Sequence, residues 1–201
     1  MSENVVGIPL PKQLFSGMTA IVTGGSRGVG RATAVRLAEG GANVVINYLQ
    51  NHAEADKTVE LCREKGVKAI AVQGDVSEFL PAKNVADKAL EEFGRIDLLV
   101  LNAGIWEGAP IEEMSEETWN RVLNTNLKAA WAMTKACVPA LKRQPKGAIV
   151  LVNAETERVF GFQREELLGQ AVLLEGHHYL ADQGVAQCQN QEAGGRDQQH
   201  V

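Results

Sequence analysis

The chain has 201 residues, a net charge of −5 and 45% hydrophobic residues, enough for one sizeable core. No apolar run approaches the ~20 residues needed to cross a bilayer, residues 1–15 show no charged-then-apolar signal pattern, and no stretch is basic enough for a nucleic-acid footprint. A cytoplasmic protein is expected, with no membrane and no nucleic acid as partner. Cys62, Cys137 and Cys188 stand alone, which favours reduced thiols over disulfides or a zinc site.

In chain order, Thr19–Thr23 is a short apolar run ending in glycines, a buried strand. Residues 28–39 carry Val29, Ala32, Val35, Leu37 and Ala38 at near-helical spacing, and Gly40-Gly41 stops that helix. Asn43–Asn47 reads as strand two, Ala53–Lys65 as a charged helix closed by Gly66, and Lys68–Gln73 as strand three. Pro81–Phe93 is a helix with proline near its first turn and Gly94 past its end. Asp97–Leu101 is strand four. Ser115 is the N-cap of a long helix with acidic residues in its first turn, running towards Lys142. Gly147–Val152 is strand five. Nearly continuous apolar strands alternating with helices predict an α/β fold with a doubly wound, Rossmann-type parallel sheet and right-handed crossovers, truncated after strand five and followed by a short irregular or helical C-terminal segment. Trp106, Trp119 and Trp131 read as packing residues, because no basic groove accompanies them.

Thr23-Gly24-Gly25-Ser26-Arg27-Gly28-Val29-Gly30 turns a strand through glycines into a helix. Gly24 permits the tight exit. Gly28 and Gly30 lack Cβ, so the backbone can approach a pyrophosphate and the helix can pack close to the strand. The helix N-terminus adds free N–H groups and partial positive charge. The spacing is G-x-x-x-G-x-G rather than G-x-G-x-x-G.

This loop resembles the cofactor loop of short-chain dehydrogenases/reductases, and three further motifs match that family in order: Asp75-Val76, Asn102-Ala103-Gly104, and Asn126 within Leu123–Leu127. The resemblance covers residues ~15–152. It implies an NADP(H)-binding oxidoreductase fold that moves hydride between carbonyl and alcohol. By the same resemblance, Gly24, Ser26, Arg27, Gly28, Val29 and Gly30 form the phosphate loop, and Asp75 and Val76 hold the adenine. Asn102, Ala103 and Gly104 line the cofactor, while Asn126 kinks the long helix and organises a proton-relay water as a catalytic residue. The competing readings are a capping Asp75, a simple turn at 102–104 and a helix-interior Asn126. Asn47 and Tyr48 end strand two beside the ribose and supply no carboxylate for a 2′-hydroxyl. Arg27 can meet a 2′-phosphate, so NADP(H) is expected over NAD(H); the alternative is a solvated surface arginine.

After residue 146 there are three arginines, no lysine and eight acidic residues. Subtracting these from 20 basic and 25 acidic residues leaves 17 of each in 1–146. All the net charge therefore lies in the last segment. The family's serine–tyrosine–lysine set is missing from this sequence. Asn153-Ala154 stands at the serine position, Tyr179 is followed four residues later by Gln183, and no lysine follows Lys146. The lysine would lower the tyrosine pKa towards working pH, so its absence leaves turnover by this chain in question.

Residues 149–169, with Val152-Asn153, Phe160-Gly161-Phe162 and Arg164-Glu-Glu-Leu-Leu-Gly169, resemble the early part of a PAS sensory domain. Three units are expected: 1–152 binding nicotinamide dinucleotide, 153–181 PAS-like, and 182–201 a mobile, glutamine-rich tail. His177, His178, Cys188 and His200 lack the tight paired spacing of a metal site. Three functions compete: an NADP(H)-binding oxidoreductase fold, a signalling module with a PAS-like segment, and a non-functional chimera joined at Gly147–Val152, a strand both families can write. An exposed strand-five edge makes self-association into a homo-oligomer an expectation.

Overall fold

The computed structural model describes residue 11 and residues 13–152. Five strands, β1 (Thr19–Val22), β2 (Asn43–Tyr48), β3 (Ala69–Gln73), β4 (Leu98–Leu101) and β5 (Ala148–Leu151), form one parallel sheet in the order β3-β2-β1-β4-β5. The helices are α1 (Gly28–Glu39), α2 (His52–Arg63), α3 (Phe79–Phe93), α4 (Glu116–Leu123) and α5 (Ala129–Leu141). The Rossmann-type order expected from the sequence is present.

The inner strands β1, β2 and β4 are mostly apolar and buried because helices cover both faces there. On one face Ile21, Val45 and Leu99 pack against Ala82, Val85 and Ala86 of α3 and Met133 and Cys137 of α5. On the other, Ala20, Val22, Val44 and Ile46 pack against Ala34 and Leu37 of α1 and Ala55 and Val59 of α2. Each fully buried Val, Ile or Leu contributes roughly 1.5–3 kcal/mol. β1 lies at the centre with all four residues buried.

Helix ends follow local chemistry. The Asn51 side chain accepts the Glu54 N–H at 3.2 Å, so α2 begins at His52, one residue earlier than expected. α3 begins at Phe79, two residues before the expected Pro81, which occupies the first turn where its missing N–H costs nothing. Gly94 closes α3 in the left-handed region at φ 74°. Ser115 caps α4 as expected, accepting the Thr118 N–H at 3.1 Å. The long helix expected from Ser115 towards Lys142 runs unbroken from Glu116 to Leu141, with a π-helical turn, Asn124–Lys128, between its α-helical parts α4 and α5.

The tryptophans correct one expectation. Trp106, Trp119 and Trp131 are 73%, 49% and 51% exposed: Trp106 lies on the loop before α4, Trp119 on α4, which has no buried residue, and Trp131 at an exposed position of α5. Trp131 packs only at the rim, tilted against Phe79 at 6.1 Å, with the Lys135 ammonium 4.7 Å from the Phe79 ring. Ile149, Leu151 and Val152 are exposed at the β5 edge, and among the described residues no strand pairs with its outer side.

Cys62 and Cys137 are buried, and burial pushes both thiols up to about 12. At pH 8 neither has appreciable thiolate. A maleimide should leave both unmodified in the folded protein and label both in denaturant. Labelling by peptide mass spectrometry without loss of helical signal would contradict this packing.

Candidate functional site

The strand order reverses between β1 and β4, and in such sheets the crevice at the carboxyl ends of the strands receives ligands. The loops leaving β1, β2, β3 and β4 all emerge there. The crevice is fixed by two side chains. The Thr23 hydroxyl, buried at the end of β1, accepts the N–H groups of Asn102 (3.0 Å) and Ala103 (2.9 Å) and lies 3.4 Å from the Val100 carbonyl. The Asn102 amide donates back to the carbonyls of Thr23 (3.0 Å) and Gly24 (3.3 Å). The loops after β1 and β4 are thus stitched together across 79 residues of chain.

Gly24 and Gly28 take positive φ, 63° and 57°, a region costly for other residues. Gly30 is required by contact: a Cβ there would lie 2.5 Å from Asn102 Nδ2 and would overlap the Gly24 carbonyl. Arg27 is the extended N-cap of α1 and its side chain makes no capping bond, so the first helical N–H groups, at Gly28, Val29 and Gly30, lack partners within the helix. The Arg27 side chain makes no hydrogen bond or ion pair with another described residue. Free N–H groups at a helix start beside an unpaired guanidinium are a donor set suited to phosphate oxygens.

The remaining expected residues fall into two groups. Asp75 and Gly104 are at the crevice. The Asp75 carboxylate accepts the Ser77 N–H (2.9 Å) and hydroxyl (2.6 Å), so it shapes the turn after β3. Gly104 leaves room for Asn126, whose Oδ1 would stand 3.1 Å from an added Cβ. Asn126 clamps the Ile105 backbone from both sides, accepting its N–H at 2.8 Å and donating to its carbonyl at 2.9 Å, and it does so from the π-helical turn. Asn47, Tyr48 and Val76 are instead buried. Asn47 Nδ2 donates to the Val72 and Gly74 carbonyls at 3.3 and 3.0 Å, and Tyr48 Oη meets His52 Nδ1 at 2.7 Å. The Val76 side chain belongs to the core, so backbone groups are what it can offer a ligand.

Sequence reasoning missed the Thr23 hydroxyl as a connector, and it missed a brace behind the glycine loop. Arg31 of α1 donates through Nε to Thr58 Oγ1 (2.9 Å) and through Nη2 to the Ser26 carbonyl, the Glu54 carbonyl (3.1 Å) and Glu54 Oε2 (2.5 Å). The Lys57 ammonium first, then Arg31, holds the Glu54 carboxyl down to about 2. Its folded value is below the ordinary 4.5, so its contribution to stability is complete above that pH and fades as pH falls towards 2. The brace stays ionised at neutral pH.

Beyond the Asn126 clamp, the loop after β4 and α4 enclose an apolar cleft of about 480 Å³, lined by Trp106, Gly108, Ala109, Met114, Trp119, Val122 and Leu123, with Glu107 also on its wall and paired to Arg121. Among the described residues no group of three or more His, Cys, Asp or Glu could hold a metal ion, and no helix is long and apolar enough to cross a membrane. The expectations at Asn153, Ala154, Tyr179, Gln183, His177, His178, Cys188 and His200 lie outside the described residues.

A family model described as short chain dehydrogenase matches residues 18–163, and one described as PAS fold matches 137–201. An uncharacterised oxidoreductase of Methylorubrum extorquens is 45% identical over 122 residues, 61% of this chain and 49% of that protein. The 3-oxoacyl-acyl-carrier-protein reductase FabG of Staphylococcus epidermidis is 39% identical over 132 residues, covering 66% of this chain and 54% of the reductase. The chain spans about half the length of the curated relatives it matches. A solved Burkholderia cenocepacia short chain dehydrogenase in complex with NADP superposes with a TM-score of 0.68 at 35% identity, covering 73% of this chain and 59% of that one. A mutant Serratia marcescens short-chain dehydrogenase/reductase gives the same TM-score and coverage at 28% identity.

Proposed function

Because this chain belongs to the short-chain dehydrogenase family, we propose that its crevice is the binding half of an oxidoreductase site and holds NADP(H). The observation that carries this reading is the stitched pair of loops: Thr23 and Asn102 fix the glycine loop against the β4 loop, beside a helix start whose N–H groups are free. The pyrophosphate would lie on Gly28, Val29 and Gly30. Asp75 and Val76 would border the adenine, with Asn102, Ala103 and Gly104 along the centre and Asn126 holding the floor through Ile105. The dinucleotide, when bound, supplies the hydride.

Three observations support NADP(H) over NAD(H). Strand two ends Asn47-Tyr48 without a carboxylate, Arg27 is exposed with no partner among the described residues, and a similar solved structure contains NADP. A charge-assisted contact is worth about 1.5–3 kcal/mol. Arg27→Ala should therefore weaken NADPH binding by about tenfold or more and leave NADH nearly unchanged. Equal affinities for wild type and variant would remove Arg27 from the site.

Asn153-Ala154 at the serine position and the lack of lysine after Lys146 support binding without the standard proton relay, so no NADPH oxidation is expected over a panel of carbonyls. Thermal unfolding tests the binding itself. At a hundredfold excess over Kd, NADPH should add ~2.7 kcal/mol to stability; an unshifted transition would overturn the reading. The exposed β5 edge supports self-association, and the two buried free thiols, Cys62 and Cys137, fit a reducing compartment such as the cytoplasm. We place the dinucleotide unit at 1–152, with 153–181 PAS-like and 182–201 a tail; both family models claim 137–163. The match over 137–201 favours one second reading, a signalling module. Flavin or haem absorbance in the purified protein would support it.

A further inference from the structure

We propose that Arg31 is a positioning residue of the dinucleotide site, holding the Ser26–Arg27 peptide so that Arg27 stays directed at the 2′-phosphate of NADP(H). This rests on the dinucleotide reading above. Arg31 stands one helical turn after Arg27, and its N–H bonds the Arg27 carbonyl at 3.2 Å. Its guanidinium offers five donors in a rigid fork. Two of its partners, Glu54 and Thr58, lie on α2 and are sufficient to pack α1 on α2. The third, the Ser26 carbonyl, lies on the glycine loop, and packing alone gives no reason for it. Thr58 Oγ1 reaches the same carbonyl at 3.3 Å, so the Ser26 carbonyl is held from two directions towards α2.

The consequence is geometric. In a trans peptide the C=O and the following N–H point in opposite directions. A Ser26 carbonyl turned towards α2 therefore turns the Arg27 N–H away from it and, together with the Arg27 φ of −157°, sets where the Arg27 side chain departs. Arg27 itself is exposed and extended, with no capping bond to hold it. The brace is what sets its direction.

A double-mutant cycle tests this, with NADPH and NADH dissociation constants and the unliganded melting temperature measured for wild type, Arg31→Met, Arg27→Ala and the double variant. Arg31→Met is expected to raise the NADPH constant about tenfold and the NADH constant less than about threefold. Added to Arg27→Ala, it should change NADPH affinity by less than about threefold, because residues acting as one unit are non-additive. A general loss of helix packing would instead weaken both dinucleotides equally and add in full; either result overturns the proposal. If wild type binds neither dinucleotide, the site reading itself falls, a different failure from intact wild-type binding that Arg31→Met leaves unmoved. Should Arg31→Met not fold, Arg31→Lys carries the same comparison: it keeps the charge beside Glu54 while a compact ammonium does not span to Ser26 and Thr58 together.

Discussion

Gly30→Ala is expected to lower the melting temperature by roughly 6–12 °C and to abolish NADPH binding. Alanine is the better helix former by at most about 1 kcal/mol, which alone would stabilise α1. Sterics win, because the added methyl would sit 2.5 Å from the Asn102 amide and inside the Gly24 carbonyl. Neither neighbour can retreat. The Asn102 amide is bonded to two carbonyls, and Gly24 is backbone at the exit of the central strand. Overpacking of this kind costs about 3 kcal/mol, at roughly 2–4 °C per kcal/mol for a chain of this size. The helix must tilt outwards, and the free N–H groups leave the crevice with it. Thermal melts with and without NADPH measure both effects. A variant that melts and binds like wild type would mean that α1 does not sit where these contacts place it.

Thr23→Val should be the second most damaging change, although it conserves shape. The hydroxyl accepts two backbone N–H groups; valine leaves both without an acceptor beneath the crevice. An unpaired buried donor costs about 1–3 kcal/mol, and Asn102 and Ala103 are only half-buried, so about 2–4 kcal/mol in total is expected. NADPH affinity should fall at least tenfold as the β4 loop loosens. Thr23→Ser retains the oxygen and should restore most of both losses. If valine and serine behave alike, the hydroxyl is not the connector.

The parallel sheet, its five strands and the glycine-loop helix were legible because each is a local pattern: an apolar run, a helical spacing, a glycine stop. What the sequence concealed is of another kind. Thr23 reads as the last residue of a strand, and nothing near it signals partners 79 residues away. Arg31 reads as an ordinary polar position on an amphipathic helix, because its acceptors come from a loop and a second helix. The start of α3 was hidden because Glu78 makes no side-chain cap bond, which left Pro81 as the visible mark. The π-helical turn adds a local widening that apolar periodicity does not register, although Asn126 at its centre was singled out by family resemblance. The tryptophans misled in the opposite direction, since large aromatic residues are mostly buried and here they line a cleft and a rim.

The stitching of Thr23 to Asn102 also sets when the site can exist. β1 pairs with β2 after a short βα excursion, Thr19 against Asn43, a cheap loop to close. Its other neighbour, β4, arrives only after three crossovers, and the Asp97 carboxylate that receives the Thr19 N–H is 78 residues distant. Contacts of such separation form late and slowly. A ribosome must therefore release most of the described chain before the crevice has two walls. Dinucleotide capture in a refolding experiment would then follow the closing of the β1–β4 seam, lagging behind the appearance of helix.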